Sequence, residues 1–231
     1  MKRCAQHFAA LAAVLAASAP AANAAPIAPL HTQSPVYITA AAGPNLLGTS
    51  TVPIRAQRFN SSWSQAMQDS SRSPLLQRIV APARNLTKAQ QLLFVQSRVH
   101  NNIRWISDAT EWGKHDYWAS ASETLARGAG DMEDRAIVKM HALRALGHRP
   151  GDLFLTMGRD QVGGPVTVLV VRLGNRFHVL DDTGGSPFLI EARQKEFKPL
   201  LSFGTGGVWA HTAPVVLRPI ATAAAASFGR K

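Results

Sequence analysis

The chain changes from helical to strand-like patterning near residue 150, and this change limits the folds that it can adopt. Apolar residues at helical spacing predict helices over 87–101 and 131–147. Three β-rich runs follow, the last two joined by a Gly-Asn turn, at 152–158, 165–173 and 176–182. Helices followed by an antiparallel sheet predict an α+β domain.

The first 24 residues have the pattern of a secretory signal peptide. Lys2 and Arg3 precede an Ala-rich apolar run, and small residues surround a cleavage point near Ala24. The run is too short to span a bilayer comfortably and Pro20 interrupts it, so we expect no membrane span in the mature chain. The predicted location is therefore periplasmic or extracellular.

The remaining chain divides into three expected parts. Residues 25–58 are rich in Ala, Pro, Gly and Thr and contain no acidic residue, which predicts an extended N-terminal lead-in. Residues 59–215 form the predicted folded domain, starting with a short helix capped by Asn60 or Ser61. Residues 216–231 are expected to be a flexible tail.

Cysteine content and charge exclude several functions. The single cysteine, Cys4, lies in the predicted signal peptide, so the mature chain has no disulfide, thiolate metal site or cysteine nucleophile. The formal net charge is +11, but the basic residues are scattered and show no zinc-finger or RNA-binding signature. We therefore expect a soluble cationic surface and no nucleic-acid partner.

The helix at 131–147 begins in an unusual way. It opens within the stretch GAGDMEDRAIVKMHALRALG (128–147), where Asp131 and Asp134 are suited to the cap and third positions. Between Asp131 and Glu133 stands Met132, a thioether that cannot ionise. The motif therefore has the form of a reactive helix start without a reactive side chain.

Residues from about 90 to 215 resemble a known family. The run NNIRWISDATEWGKHDYWASASETLARGAGDMEDRAIVKMHALRALG, followed by VTVLVVRLGNRFHVLDD, is similar to the bacterial transglutaminase-like cysteine peptidases. The best-known members are periplasmic, calcium-dependent proteases that release biofilm adhesins. The resemblance implies a papain-like/transglutaminase-like core, with a helical part packed on an antiparallel β-sheet.

The resemblance also identifies the positions of a catalytic triad. In the family a Cys at the helix start is paired with a His at the start of a strand, and an Asp at the end of the next strand orients that His. Carried onto this chain, the three positions are Met132, Val166 and Asp181. Met132 has no thiol proton to lose and Val166 cannot transfer a proton, so neither nucleophile nor base is present.

Other hydroxyl and imidazole groups are candidate substitutes. The candidates are Ser120, Ser122, His115, His141, His148 and His178. His141 lies nine residues along the helix from Met132, about 13 Å away along its axis. We expect surface or packing roles for the histidines, while an active hydrolase with a non-standard nucleophile remains an alternative.

Two acidic residues are candidate metal ligands. In calcium-dependent relatives the acids flanking the Cys help to bind the ion, which implies a calcium role for Asp131 and Glu133 here. The alternative is structural, because Asp131 also suits the helix cap and Glu133 the positive end of the helix. No other cofactor is expected.

Taken together, these patterns predict a pseudoenzyme. An intact scaffold without its nucleophile favours an exported protein that binds a protein partner in the cell envelope, such as an adhesin segment or a membrane-bound regulator. The alternatives are an active hydrolase of the same family and a structural envelope protein.

Overall fold

The computed structural model describes residues 43–182, 188–189 and 197–212. The predicted signal peptide and C-terminal tail lie outside these residues. The helices are α1 (Asn60–Ala66), α2 (Pro74–Val80), α3 (Lys88–Asn102), α4 (Asp108–Glu111), α5 (Ala121–Arg127) and α6 (Met132–Ala145). Among the residues described, no helix combines the length and the apolar character needed to cross a membrane.

Within the described residues, seven strands form one sheet. They are β1 (Ser50–Ile54), β4 (Leu153–Asp160), β5 (Pro165–Leu173), β6 (Arg176–Leu180), β7 (Phe188–Leu189), β8 (Phe197–Gly204) and β9 (Gly207–Thr212). Their order is β1-β9-β8-β4-β5-β6-β7, and every neighbouring pair is antiparallel. Two short strands, β2 (Arg104–Trp105) and β3 (Ala129–Gly130), pair in parallel outside it. Helices packed on an antiparallel sheet confirm the α+β class.

Two helices begin where the sequence predicts. Thr87 caps α3 in a capping box with Gln90, and Asp131 caps α6. The predicted cap of α1 is wrong, because the helix starts at Asn60 with Phe59 at the N-cap and no side chain bonds to its first turn. The buried ring of Phe59 contributes to the main core, so packing contributes to this helix start.

Helix α6 is the centre of the fold. It packs against α2, α3 and α5 on one side and against β4 and β5 on the other, and its buried residues run from Asp134 to Leu143. A second apolar cluster lies on the far face of the sheet. Strand β5 is therefore buried on both faces: Leu169 and Val171 belong to the core with α6, and Val168 and Val170 to the far cluster.

The sheet begins earlier than the sequence predicts. Strand β1 lies within the segment assigned to an extended lead-in, and it pairs along its length with β9. Leu46 and Leu47, just before β1, are buried. The folded unit therefore includes residues before 59. Composition concealed this strand because its pairing partner lies at the opposite end of the domain.

Candidate functional site

The site is built at the start of α6, where glycines bring the chain close to a buried carboxyl group. Gly128 ends α5 in the left-handed conformation with φ 64°. At Gly130 a Cβ atom would lie 2.7 Å from the Cβ of Asp134, so only glycine fits. Asp131 then caps the helix, its Oδ1 accepting hydrogen bonds from the backbone N–H groups of Glu133 (3.1 Å) and Asp134 (3.3 Å).

Met132 faces the start of strand β5. The backbone N–H of Thr167 donates a hydrogen bond to the sulfur of Met132 at 3.2 Å. The hydroxyl of Thr167 donates to Oε1 of Glu133 at 2.7 Å. Thr167 is thus the β5 residue that contacts the first turn of α6.

Val166 points to the other face of the sheet. It packs against the far apolar cluster with Val168 and Val170. Thr167 lies on the opposite face of β5, the face toward α6, together with Leu169 and Val171. The structure therefore does not bring Val166 to Met132. Residue type could not reveal this difference, because β5 is apolar on both faces and a shift of one residue leaves the pattern unchanged.

The end of β6 shows the same offset of one residue. Asp181 contacts α3, with Oδ1 accepting a hydrogen bond from Nε2 of Gln96 at 3.0 Å, and its backbone carbonyl accepts one from Nζ of Lys139. Asp182 instead pairs with Arg135 of α6, where Arg135 NH1 lies 2.9 Å from Oδ1. Since Leu169 pairs with Leu180, the β5–β6 register extended by two residues aligns Thr167 with Asp182.

The carboxylate of Asp182 lies in a polar network on α6. Arg135 also contacts His100 Nδ1 at 2.9 Å, and its side chain is almost completely buried. Burial raises the pKa of Asp182, while the charges of Arg135 and Lys139 act against that rise. Burial lowers the pKa of Lys139 to about 8. Asp182 is therefore a carboxylate that is paired within the protein.

Three carboxylates gather beside the helix start. Asp108, Asp131 and Asp134 each offer an oxygen, and these oxygens lie within 4.8 Å of one another. Oδ1 of Asp134 accepts a hydrogen bond from the backbone of Ala119, but its buried Oδ2 accepts none from any described residue. Glu133 lies outside this set. The structure thus groups one of the two predicted calcium ligands, Asp131, with two other acids.

The pKa values in this acidic group are strongly raised. Burial, followed by the negative charges of Glu133 and Asp134, raises the pKa of Asp131 to about 11. Burial raises the pKa of Asp134 to about 8, and it also raises that of Glu133. These shifts express the cost of crowding buried negative charges, a cost that a bound cation would offset. Carboxylate oxygens are the donors that calcium prefers, so Asp108, Asp131 and Asp134 fit that ion.

Several candidate substitute residues have structural roles. Ser120 caps α5 in a capping box with Glu123. His141 Nε2 lies 2.8 Å from the carbonyl oxygen of Ala66, and His148 Nε2 lies 3.1 Å from Oε1 of Gln91. Burial lowers the pKa of both imidazoles, to about 4 for His148.

A serine–histidine pair that the sequence did not suggest lies away from α6. Thr49 Oγ1 donates to the Leu46 carbonyl at 2.8 Å, so it accepts from His211 Nδ1, 2.6 Å away. The neutral ring then accepts from Ser202 at Nε2 (2.8 Å), and Ser202 accepts from Thr156 (2.8 Å). Burial lowers the pKa of His211 to about 4. Sequence spacing could not find this pair, because β8 and β9 were not predicted.

The aromatic segment before α5 packs onto the protein. Trp118 is buried and stacks on Phe59 with ring centroids 5.8 Å apart. Trp112 and Tyr117 contact each other at 4.6 Å, and the guanidinium of Arg127 lies 3.9 Å from the Trp112 ring centroid. These rings fix the loop beside the acidic group.

Comparison with known proteins agrees with this architecture. The family model for the bacterial transglutaminase-like cysteine proteinase BTLCP matches residues 48–209. The chain therefore belongs to the bacterial transglutaminase-like cysteine proteinase family, as its motifs predicted. No curated protein matches it.

Solved structures of a relative share the fold. Calcium-bound LapG of Legionella pneumophila superimposes with a TM-score of 0.53 at 23% identity, covering 71% of this chain and 93% of that one. Another structure of Legionella pneumophila LapG gives 0.52 at 24% identity, covering 69% and 90%. The predicted transglutaminase-like fold is confirmed.

Proposed function

We propose that this protein is an exported, catalytically inactive member of its family that binds a protein partner in the cell envelope. The observation that carries this proposal is the contact between Met132 and Thr167. The nucleophile position holds a thioether that accepts a hydrogen bond from a backbone N–H, and the side chain beside it is a threonine bonded to Glu133. A thioether cannot form an acyl-enzyme, and a threonine hydroxyl is far too weak a base to replace an imidazole.

The geometry supports Met132, Thr167 and Asp182 as the three triad positions. The sequence resemblance gives Val166 and Asp181 for the second and third, so each of these is shifted by one residue. Thr167 contacts Met132, and the side chain of Asp182 pairs with Arg135 of α6. The side chain of Asp181 instead accepts a hydrogen bond from Gln96 of α3, and only its backbone carbonyl accepts one from Lys139 of α6. With Arg135 held against Asp182, the third position has become part of a buried ion pair.

The partner follows from the family resemblance: an adhesin segment or a membrane-bound regulator. A scaffold that retains the family fold but has no nucleophile can still present a family-specific binding surface. It would hold such a partner without cleaving it. The family's calcium dependence supports a structural role for the ion at Asp108, Asp131 and Asp134, the set whose donors fit it.

The alternative of an active hydrolase has one specific candidate, the pair Ser202 and His211. Its hydrogen bonds match those of an activated serine, but Ser202 is completely buried, as is Thr156 beside it. A substrate carbonyl cannot reach its Oγ without opening the sheet. We therefore expect no labelling of the wild-type protein by a fluorophosphonate probe, and labelling that disappears in Ser202→Ala would support this alternative.

The decisive experiment restores the triad. The double variant Met132→Cys/Thr167→His places a thiol beside an imidazole and next to Asp182, so its alkylation by iodoacetamide at pH 6–7 should exceed that of a free thiol about tenfold or more. Met132→Cys/Val166→His is the matched control, because its imidazole enters the far side of the sheet. Equal alkylation rates in the two variants would contradict the assigned triad.

Two further outcomes test the inactivity itself. The wild-type mature protein should leave an adhesin-type substrate intact while retaining it in a pull-down. Cleavage by the wild-type protein would contradict the proposal. Loss of both cleavage and retention would favour the structural envelope protein.

A further inference from the structure

The outer side of α3 carries a groove that the candidate site does not use. It has a volume of about 450 Å³ and is lined by the apolar side chains of Leu86, Leu93 and Phe94, with Gln90, Arg98 and Asn101 among its polar residues. Leu93, in the middle of α3, is 47% exposed. We name this feature the α3 groove.

The α3 groove lies on the side of α3 opposite its buried residues, although Leu86 and Phe94 also pack against the edge of the main core. The buried residues of α3 are Gln91, Leu92, Val95, Gln96 and Val99. Groove positions 90, 93, 94, 97 and 101 follow one another at helical spacing on the opposite side, so they form a stripe along three turns, about 16 Å. A stripe of this shape matches the length of a short helix lying alongside α3.

The charge around the α3 groove is of one sign. Residues 74–107, which include α2, α3 and β2, contain no Asp or Glu. They carry five exposed basic residues, namely Arg78, Arg84, Lys88, Arg98 and Arg104. Within the described ranges, no salt bridge pairs any of the five with a carboxylate. The apolar stripe therefore lies in a positive field that no acid of its own segment reduces.

We propose that the α3 groove binds an acidic amphipathic helix of a partner protein. Leucine-like side chains of that helix fill the space between Leu86, Leu93 and Phe94, and its carboxylates face Arg98 and the neighbouring cations. A second copy of this chain is a poor occupant, because a symmetric contact would place the same five cations against one another. The inference rests on the proposed partner-binding function and adds the docking surface and the partner's chemistry.

The test uses a designed peptide of about 15 residues, with Leu at every third or fourth position and Glu between, and a second peptide in which Lys replaces Glu. Fluorescence anisotropy with the full mature protein should show binding of the Glu peptide only. Leu93→Gln/Arg98→Glu should weaken that binding about tenfold or more, because it removes an apolar contact and reverses a charge. Ile54→Gln/Arg55→Glu at the end of β1 makes the same kinds of change at exposed residues outside the groove and outside the five cations, and should bind as the parent does.

Several results would overturn the proposal. If Ile54→Gln/Arg55→Glu weakens binding equally, the interaction depends on the net charge of the protein and not on the α3 groove. If the parent forms dimers that dissociate in Leu93→Gln/Arg98→Glu, the occupant of the groove is a second copy of this chain. If the parent binds phosphatidylglycerol vesicles and the groove variant does not, the occupant is a membrane surface. If the groove variant still captures the envelope partner, the α3 groove is not the docking surface, while the proposed function stands. If the peptide binds through the groove but no envelope partner is found, the groove is a binding surface and the proposed function is refuted.

Discussion

Two groups of carboxylates beside α6 differ in how their charge is balanced. Asp182 has Arg135 at 2.9 Å and lies close to Lys139, so its negative charge is met by cations on the helix itself. Asp131 and Asp134 have no salt bridge to a cation within the described residues, and their pKa values rise to about 11 and about 8. The negative charge of Asp182 is balanced by the protein itself. The negative charges of Asp131 and Asp134 are balanced only if a cation binds or if the carboxylates take up protons.

This difference indicates what the fold has retained. The Arg135–Asp182 pair links α6 to the residues after β6 and needs no ion from solution. An unpaired acidic group destabilises the protein unless something binds there, and such a cost is typical of a binding site. Under the proposed function, the acid position of the triad has become structural, and the acids at the helix cap are the proposed ion site.

The largest expected effect comes from breaking the paired group. Arg135→Met should lower the free energy of unfolding by about 3–5 kcal/mol, because it leaves the carboxylate of Asp182 without its partner. Urea denaturation measures this change. Adding Asp182→Asn should recover most of the loss. Arg172→Met, which breaks a more exposed pair with Asp152, should cost about 1 kcal/mol or less, and equal losses at the two arginines would contradict the comparison.

Calcium should stabilise the unpaired group. At a free concentration 100 times its Kd, the ion should raise the free energy of unfolding by about 2.7 kcal/mol, measured as a shift in Tm. Asp131→Asn or Asp134→Asn should remove this response, whereas the exposed Asp69→Asn should keep it. A calcium response that survives both site substitutions would place the ion elsewhere.

The pH dependence without calcium should have the sign of raised acid pKa values. The ordinary pKa of an aspartate is 3.8, and in the folded protein that of Asp134 is about 8. Between these values the folded state keeps a proton that the unfolded state has lost, so this group's contribution to stability falls as pH rises from about 4 to about 8. Asp131→Asn/Asp134→Asn should therefore gain stability relative to the parent over that range in EDTA. A constant difference would refute the shifts.

A smaller effect is expected at Thr167. Thr167→Val removes the hydrogen bond to Glu133 and should cost about 1 kcal/mol, since Glu133 can still be neutralised by a proton. Thr167→Ser keeps the hydroxyl and should be closer to the parent. Thermal unfolding of the three proteins checks the order, and a valine variant as stable as the parent would mean that this bond contributes nothing.

The elements with strong local signals were predicted well. The capping residues Thr87 and Asp131 and the three strands β4 to β6 lie where periodicity and turn residues indicate them. Strands β1, β8 and β9 escaped prediction, and with them the Ser202–His211 pair, because their register depends on partners far apart along the chain. Asp108 was likewise missed as a neighbour of Asp131, since a loop and α5 separate them in sequence.

The sequence alone determines what chemistry is missing. Its only cysteine is Cys4, and Met132 stands at the start of α6, so no thiolate can form there whatever the fold. Tertiary structure determines which residue meets Met132. Strand β5 is apolar on both faces, and only its packing between α6 and the far cluster turns Thr167 toward the helix and Val166 away from it. The residue type determines which covalent chemistry is possible. In a strand buried on both faces, packing against the neighbouring elements determines which side chains point to which face.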